Sequence, residues 1–273
     1  MFSMNSFTGM QVLALVREGD YAHAGEEEAI ELAMRPIAKR AGQLVLDAGC
    51  GRGGTANYLR DKGWGTIVGF DIEPASIESA RKAYPGIDFH ACDVCDVDRT
   101  LSVKADVICL FNAYYCFPDQ PRSLRALRKV SKPGTRLVIF DHVNRGGYDS
   151  ATLLDAGKPF LPNPLVLSQL PGVLEANGWK VEEIEPAHDS YVRWYRNLVA
   201  RIEAKQPDIV TLAGTAGFDH VLLLYRGLLR AALQGDLGAA IIRATAKEAS
   251  SGEHAEQIGN TARFCRPGAS LCK

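Results

Sequence analysis

Short apolar runs rich in β-branched residues alternate with stretches of helical spacing over most of the chain, the pattern of a parallel sheet covered on both faces. Gln43–Leu46 reads as the first strand and Thr55–Lys62 as the helix behind it. Thr66–Phe70 is the second strand. The next helix is predicted to begin at Pro74, whose fixed φ suits a first helical turn, with Glu73 and Glu78 near the positive end of its dipole. It runs towards Tyr84 and stops before Pro85-Gly86. Ile87–Ala91 and Ala105–Phe111 read as strands three and four, the latter almost wholly apolar and so expected to be central. Pro121–Val130 is a helix closed by Lys132-Pro133-Gly134, and Thr135–Phe140 is strand five. Ser168–Asn177 has helical spacing with Gly178 as its C-cap, and Lys180–Ile184 is strand six. Amphipathic helices over Ser190–Lys205 and Phe218–Leu233 precede a last strand-like run, Gly238–Ala244. Residues 248–273 are small and polar without a sustained period and are expected to form a surface tail.

Composition narrows the classes. Apolar residues make up 47% of the 273 positions and charged ones 23%, enough for a sizeable core. Thirty-one basic side chains against 32 acidic ones leave a net charge of −1, without the basic footprint of a nucleic-acid binder. No apolar run approaches the roughly 20 residues that cross a bilayer. Met1–Asn5 lacks the basic-then-apolar order of a secretory signal. The seven cysteines are odd in number and scattered, which fits reduced thiols. The expectation is a cytoplasmic protein, monomer or homodimer, with neither a nucleic acid nor a membrane as partner. Cys92-x-x-Cys95 has no second pair at a spacing that would complete a metal site, so both thiols read as small buried fillers and no metal is expected. Arg122–Lys129 reads as the solvated face of a helix.

Candidate chemistry concentrates in Val45-Leu46-Asp47-Ala48-Gly49-Cys50-Gly51-Arg52-Gly53-Gly54. A strand ends at an acid, and closely spaced glycines then lead into a helix, so backbone amides and a helix N-terminus can approach a ligand. Open α/β sheets bind ligands at this end of their strands. Gly49, Gly51 and Gly54 also satisfy the G-x-G-x-x-G pattern of dinucleotide sites. Three acids bear on the choice. Asp47, just before the first glycine, would crowd a pyrophosphate but suits an α-amino group. Asp71 ends strand two, where a carboxylate can accept both ribose hydroxyls. Asp93, after strand three, can accept from an adenine amine, or can equally cap a short helix.

With LDAGCGRGG, GFDIEP, the run from Asp106 to Asp119 and Lys132–Leu137, the stretch from Leu44 to Phe140 resembles the class I S-adenosylmethionine-dependent methyltransferases. The resemblance implies a Rossmann-like α/β fold with a seven-stranded, mostly parallel sheet whose last strand is antiparallel. It places residues 1–247 in one domain, with an N-terminal helical lid (about 1–42) and a helical insertion between strands six and seven (187–235). It implies S-adenosyl-L-methionine as cofactor, held by Asp47, Gly49, Gly51, Gly53, Asp71, Ile72, Asp93, Val94, Asn112 and Tyr21.

More loosely, the chain is similar to the small-molecule branch that methylates sarcosine, dimethylglycine, phosphoethanolamine and quinols. The partner is then a small-molecule methyl acceptor, with N, O or C as the accepting atom. Tyr115, His142, Tyr191 and Trp194 are the expected pocket residues. His142, in Asp141–Tyr148 after strand five, is the candidate base, unless it merely bonds a neighbouring backbone group; His188 is a weaker one. Methyl transfer is an in-line displacement that needs alignment more than a dedicated triad, and none is visible. The alternatives are a nicotinamide-dependent oxidoreductase and a methyltransferase-shaped binding module without turnover.

Overall fold

A computed structural model describes residues 2–4 and 6–248. Helices α1 (Phe7–Arg17) and α2 (Glu26–Met34) precede the first strand. Strands and helices then alternate: β1 (Leu44–Ala48), α3 (Gly54–Asp61), β2 (Thr66–Asp71), α4 (Pro74–Ala83), β3 (Asp88–Ala91), α5 (Val97–Thr100), β4 (Ala105–Phe111), α6 (Gln120–Lys129) and β5 (Ser131–Asn144). A small hairpin, β6 (Leu154–Asp155) and β7 (Lys158–Pro159), leads to α7 (Leu170–Ala176), β8 (Trp179–Pro186), α8 (His188–Ala204), α9 (Gln206–Gln234) and β9 (Leu237–Ala246).

The main sheet has the order β3-β2-β1-β4-β5-β9-β8. β1 to β5 are parallel, and β9 runs antiparallel to both β5 and β8. The seven-stranded, mostly parallel α/β sheet with an antiparallel last strand is therefore as expected; this strand lies inside the sheet and β8 takes the edge. Side chains alternate faces along each strand. Val45, Ile67, Val107, Cys109, Val138, Phe140 and Ile241 join the core beneath α2, α3, α4, α8 and α9. Leu46, Val68, Ile108, Leu110, Leu137, Ile139 and Ile242 join the core beneath α5, α6 and α7. The strands fan to either side between β1 and β4, which opens a crevice at their carboxyl ends.

Two expectations need correction. Strand five does not stop at Phe140 but continues to Asn144, because β9 pairs with it as far as Asn144↔Leu237. The segment before Phe218 is helical too, so α9 starts at Gln206 and kinks at Gly214, whose φ of 74° and ψ of 169° are non-helical. Of the basic side chains of α6, Arg122, Arg125 and Lys129 are exposed, as expected; Arg122 pairs with Asp96 and Lys129 with Asp98 at the surface, while Arg125 bonds Asn177. Most of the expected tail, residues 249–273, lies outside the described residues.

The cap is fastened to the sheet by polar anchors. Arg243, buried in the apolar run of β9, bonds Glu183 and Glu185 of β8 and the Leu32 and Ala33 carbonyls at the end of α2. Asp20, between α1 and α2, accepts from Arg52 at 2.6 Å and from the Tyr84 hydroxyl at 2.7 Å. Buried His23 shares a 3.0 Å hydrogen bond with Thr55 of α3. Asp155 accepts from Ser3 and from the Met4 amide and pairs with His220 of α9, so the first residues, the hairpin and α9 meet at one carboxylate.

Candidate active site

At the carboxyl ends of β1, β2 and β4 lies a cavity of about 350 Å³. The loop after β1 makes room for it. Gly49 (φ 78°) and Gly51 (φ 52°) both line it in a conformation that side chains rarely adopt. A Cβ on Gly49 would stand 2.6 Å from the Ala113 Cβ. The loop amides are largely spent within the protein. Gly49 and Cys50 donate to the Phe70 carbonyl, Gly53 to Cys50, Gly54 to Asp20 and Gly51 to Asp71 Oδ2. The glycines thus serve less as ligand donors than as a clearance through which a ligand reaches the strand tips.

Asp71 ends β2 on the cavity wall, with Oδ2 2.9 Å from the Gly51 amide and Oδ1 2.9 Å from the Glu73 amide. Burial nevertheless pushes its carboxyl up. Ile72 beside it is 69% exposed, a large apolar side chain left bare at the cavity. Glu73 and Ser76 follow on the same wall. Asp93 lines the cavity and also accepts from the Cys95 amide at 2.8 Å, so the capping role and a wall position coexist. Val94 and Cys92 complete that side. Cys92 is buried as expected; Cys95 is half-buried. Among the described residues, no cluster of three metal-ligating side chains occurs.

Asn112, at the end of β4, adopts φ 49° and lines the cavity. Its Oδ1 accepts from the Ala24 amide of the lid at 3.3 Å, and its Nδ2 reaches Asp141 at 3.4 Å. Asp141 was not singled out from the sequence. It is completely buried, accepts from the His142 and Tyr115 amides, and so holds the Tyr114–Cys116 turn over the crevice. Burial pushes it up to about 7 against the pull of those hydrogen bonds.

Several expected residues stand behind the wall. Asp47 is 1% exposed beneath the glycine loop; its Oδ2 has no hydrogen-bond partner, and burial, then the neighbouring Asp71, push it up to about 7. Gly53 stands just before α3 at φ 89° and packs on Phe89, away from the cavity. Tyr21 turns its hydroxyl to Glu27 at 3.2 Å, and its neighbour Ala22 lines the cavity instead. Trp194 bonds Glu28 and carries Gly25 on its ring. His142 and Tyr191 share a 2.8 Å hydrogen bond, and the His142 ring lies 4.8 Å from that of Tyr115, which does face the cavity. Once strand five runs through to Asn144, His142 becomes a buried strand residue, and burial lowers its pKa to about 3. His188 lies in the first turn of α8, with Nδ1 buried.

The cap closes the cavity with Met4, Met10, Leu13, Phe160 and Tyr225, none of them singled out from the sequence. Apolar residues facing a cavity and facing a core read alike.

A protein-family model described as a methyltransferase domain matches residues 39–184, more than half of the chain. The chain belongs to this methyltransferase domain family. The matched span begins just before β1, ends within β8 and contains every cavity residue contributed by the strand tips. Phthiotriol/phenolphthiotriol dimycocerosates methyltransferase of Mycobacterium leprae is 32% identical over 104 residues, 37% of this chain and 38% of that protein. The matches to this and a second such relative take in only about two fifths of those proteins' length. Phosphoethanolamine N-methyltransferase 2 of Haemonchus contortus, solved with phosphomonomethylethanolamine and S-adenosylhomocysteine, superimposes with a TM-score of 0.77 at 16% identity, over 90% of this chain and 58% of that one. The cyclase SpnF superimposes with a TM-score of 0.71 at 20% identity, over 88% of this chain and 93% of that one. The methyltransferase domain thus shares its fold with an N-methyltransferase and with a cyclase.

Proposed function

We propose that this methyltransferase domain transfers a methyl group from S-adenosyl-L-methionine to a small-molecule acceptor. One observation carries the reading: Asp71, Glu73 and Asp93 line the strand-tip side of a cavity whose lining contains no Lys, Arg or His. That wall favours a cation and repels a pyrophosphate, which argues against a nicotinamide dinucleotide. The residues fit the nucleoside. Each Asp71 oxygen accepts one amide, and a carboxylate has about four acceptor sites, so capacity remains for a ribose diol. Ile72 and Val94 offer apolar faces for a purine, Asp93 an acceptor for its amine, and Gly49, Gly51, Ala22 and Asn112 the space for the amino-acid end.

The bound cofactor supplies a methyl group on a positively charged sulfur. The protein's own part is to align the acceptor with it and to exclude water, which the lid tied through Asp20, His23 and Asn112 accomplishes. His142 supports Tyr115 and Tyr191 from behind rather than meeting the acceptor. Because the fold also serves a cyclase, chemistry has to be argued from the site.

Isothermal titration with S-adenosylhomocysteine tests the reading. Binding is expected, with none for NADH, and Asp71→Ala should weaken it by about 1.5–3 kcal/mol as charged hydrogen bonds are lost. NADH binding without S-adenosylhomocysteine binding would overturn it.

A further inference from the structure

The cavity lining divides by its origin in the chain. Strand tips contribute Asp71, Glu73, Asp93 and Asn112, whereas the cap contributes Met4, Met10, Leu13, Phe160 and Tyr225. The turn after β4 adds Tyr115, Cys116, Phe117 and Pro118 to the second group. No side chain of that group is charged. A phosphate or an ammonium placed there would be desolvated with no counter-charge on the lining itself, a cost of several kcal/mol for an ion. Besides the Cys116 thiol, a weak hydrogen-bonding group, hydroxyls are the polar function this wall offers.

Tyr225 is the better-fixed hydroxyl. Its ring is edge-on to Phe160 at 5.9 Å and stacked on Tyr195 at 6.2 Å, and it is 4% exposed. Arg17, with a side chain 2% exposed, donates to the Tyr225 phenol oxygen and opposes the upward push of burial on it, leaving the O–H free to donate. Glu26 is shared by Arg17 at 2.9 Å and Arg201 at 2.7 Å, so one carboxylate serves two guanidinium groups and positive charge is left over. Asp155, whose negative charge acts on Tyr225 in the opposite sense, is engaged by Ser3, Met4 and His220. A surplus cation behind a phenol makes its O–H a stronger donor and favours negative charge on the atom it contacts. The same cation disfavours an ammonium forming nearby.

We propose that the acceptor is an apolar molecule carrying a hydroxyl nucleophile, and that Tyr225 is the specificity-determining residue that positions this hydroxyl. The inference rests on the cofactor reading above and adds the acceptor's chemical class. The acceptor oxygen forms the new O–C bond as the C–S bond breaks; the bonding pair stays on sulfur, which becomes a neutral thioether, and the hydroxyl proton passes to a carboxylate of the strand-tip wall and from there to solvent.

Titration of the full chain loaded with S-adenosylhomocysteine tests it, with 2-naphthol, 2-methylnaphthalene, dimethylglycine and phosphoethanolamine as probes. We expect 2-naphthol to bind at least about tenfold more tightly than either amine and more tightly than the methyl analogue, a difference of at least about 1.4 kcal/mol against the amines. Tyr225→Phe should weaken 2-naphthol by about fivefold or more while holding S-adenosylhomocysteine within about twofold. Amines that bind as tightly as 2-naphthol, no 2-naphthol binding, or an unchanged Tyr225→Phe variant would overturn it. If that variant does not fold, equal affinity of the wild type for 2-naphthol and 2-methylnaphthalene does so instead. Failure to bind S-adenosylhomocysteine at all removes the cofactor reading and this inference together.

Discussion

Asp47 is a carboxyl group buried beneath the glycine loop with one oxygen lacking any partner, and replacing it with asparagine isolates what that charge costs. Its ordinary value of 3.8 is carried up to about 7, chiefly by burial. At about 1.4 kcal/mol per pH unit, that displacement corresponds to about 4 kcal/mol. The folded state holds the proton more tightly than the unfolded one. The favourable contribution is therefore fully present below pH 4 and is lost as pH rises towards 7 and beyond. Asparagine has the same shape and never ionises, but its amide inherits a site without an acceptor, a penalty of about 1–3 kcal/mol at every pH. Asp47→Asn should thus be less stable than wild type at pH 4.5 and level or more stable at pH 8. From pH 4 to pH 8 the gap should swing by about 4 kcal/mol in the variant's favour. The wild-type profile alone conceals this slope. Burial lowers His23 and His142 to about 3, so their contribution is lost as pH falls below 6.5, with the opposite sign. Urea denaturation of both proteins, followed by tryptophan fluorescence at pH 4.5, 6 and 8, measures the gap. A gap that is constant across this range, or that moves the other way, refutes the reasoning.

Other substitutions probe the clearance and the anchors. Gly49→Ala forces a side chain into φ 78° and 2.6 Å from Ala113; it should cost about 1–3 kcal/mol in thermal denaturation and weaken S-adenosylhomocysteine at least about tenfold by calorimetry. Arg243→Met strands the Leu32 and Ala33 carbonyls and should destabilise by about 2–4 kcal/mol, with limited proteolysis showing earlier cleavage around α2. An unchanged melting temperature would show that α2 needs no tether.

Features with a local cause were legible in the sequence. Alternation along β4 and β5 follows from the two-residue repeat of a strand, and the glycine loop follows from backbone angles that Gly49 and Gly51 accept cheaply. The residues expected around the nucleoside that do line the cavity are Gly49, Gly51, Asp71, Ile72, Asp93, Val94 and Asn112. What stayed hidden depends on distant partners. Strand five continues through Asp141 and His142 only because β9, about a hundred residues later, pairs with it. That continuation turns His142 from a loop residue into a buried one and makes Asp141 the clasp of the Tyr114–Cys116 turn. Tyr225 was equally invisible, since it sits in α9 among Leu224 and Leu228 as one more large residue of the same buried cluster. Tyr21 and Trp194 were misplaced because their partners, Glu27 and Glu28, lie on a helix whose orientation the sequence alone does not disclose.

The position of β9 also sets the order in which the molecule can assemble. It is flanked by β5 and β8, although it is translated after both. Until Leu237–Ala246 leaves the ribosome, β8 has no strand to join, and α8 and α9 hang from a half-built sheet while β1 to β5 already have their mutual contacts. Among the described residues, the last strand made is thus the one link through which β8 joins the rest of the sheet, so losing the pairing of β9 with β5 would detach β8 as well.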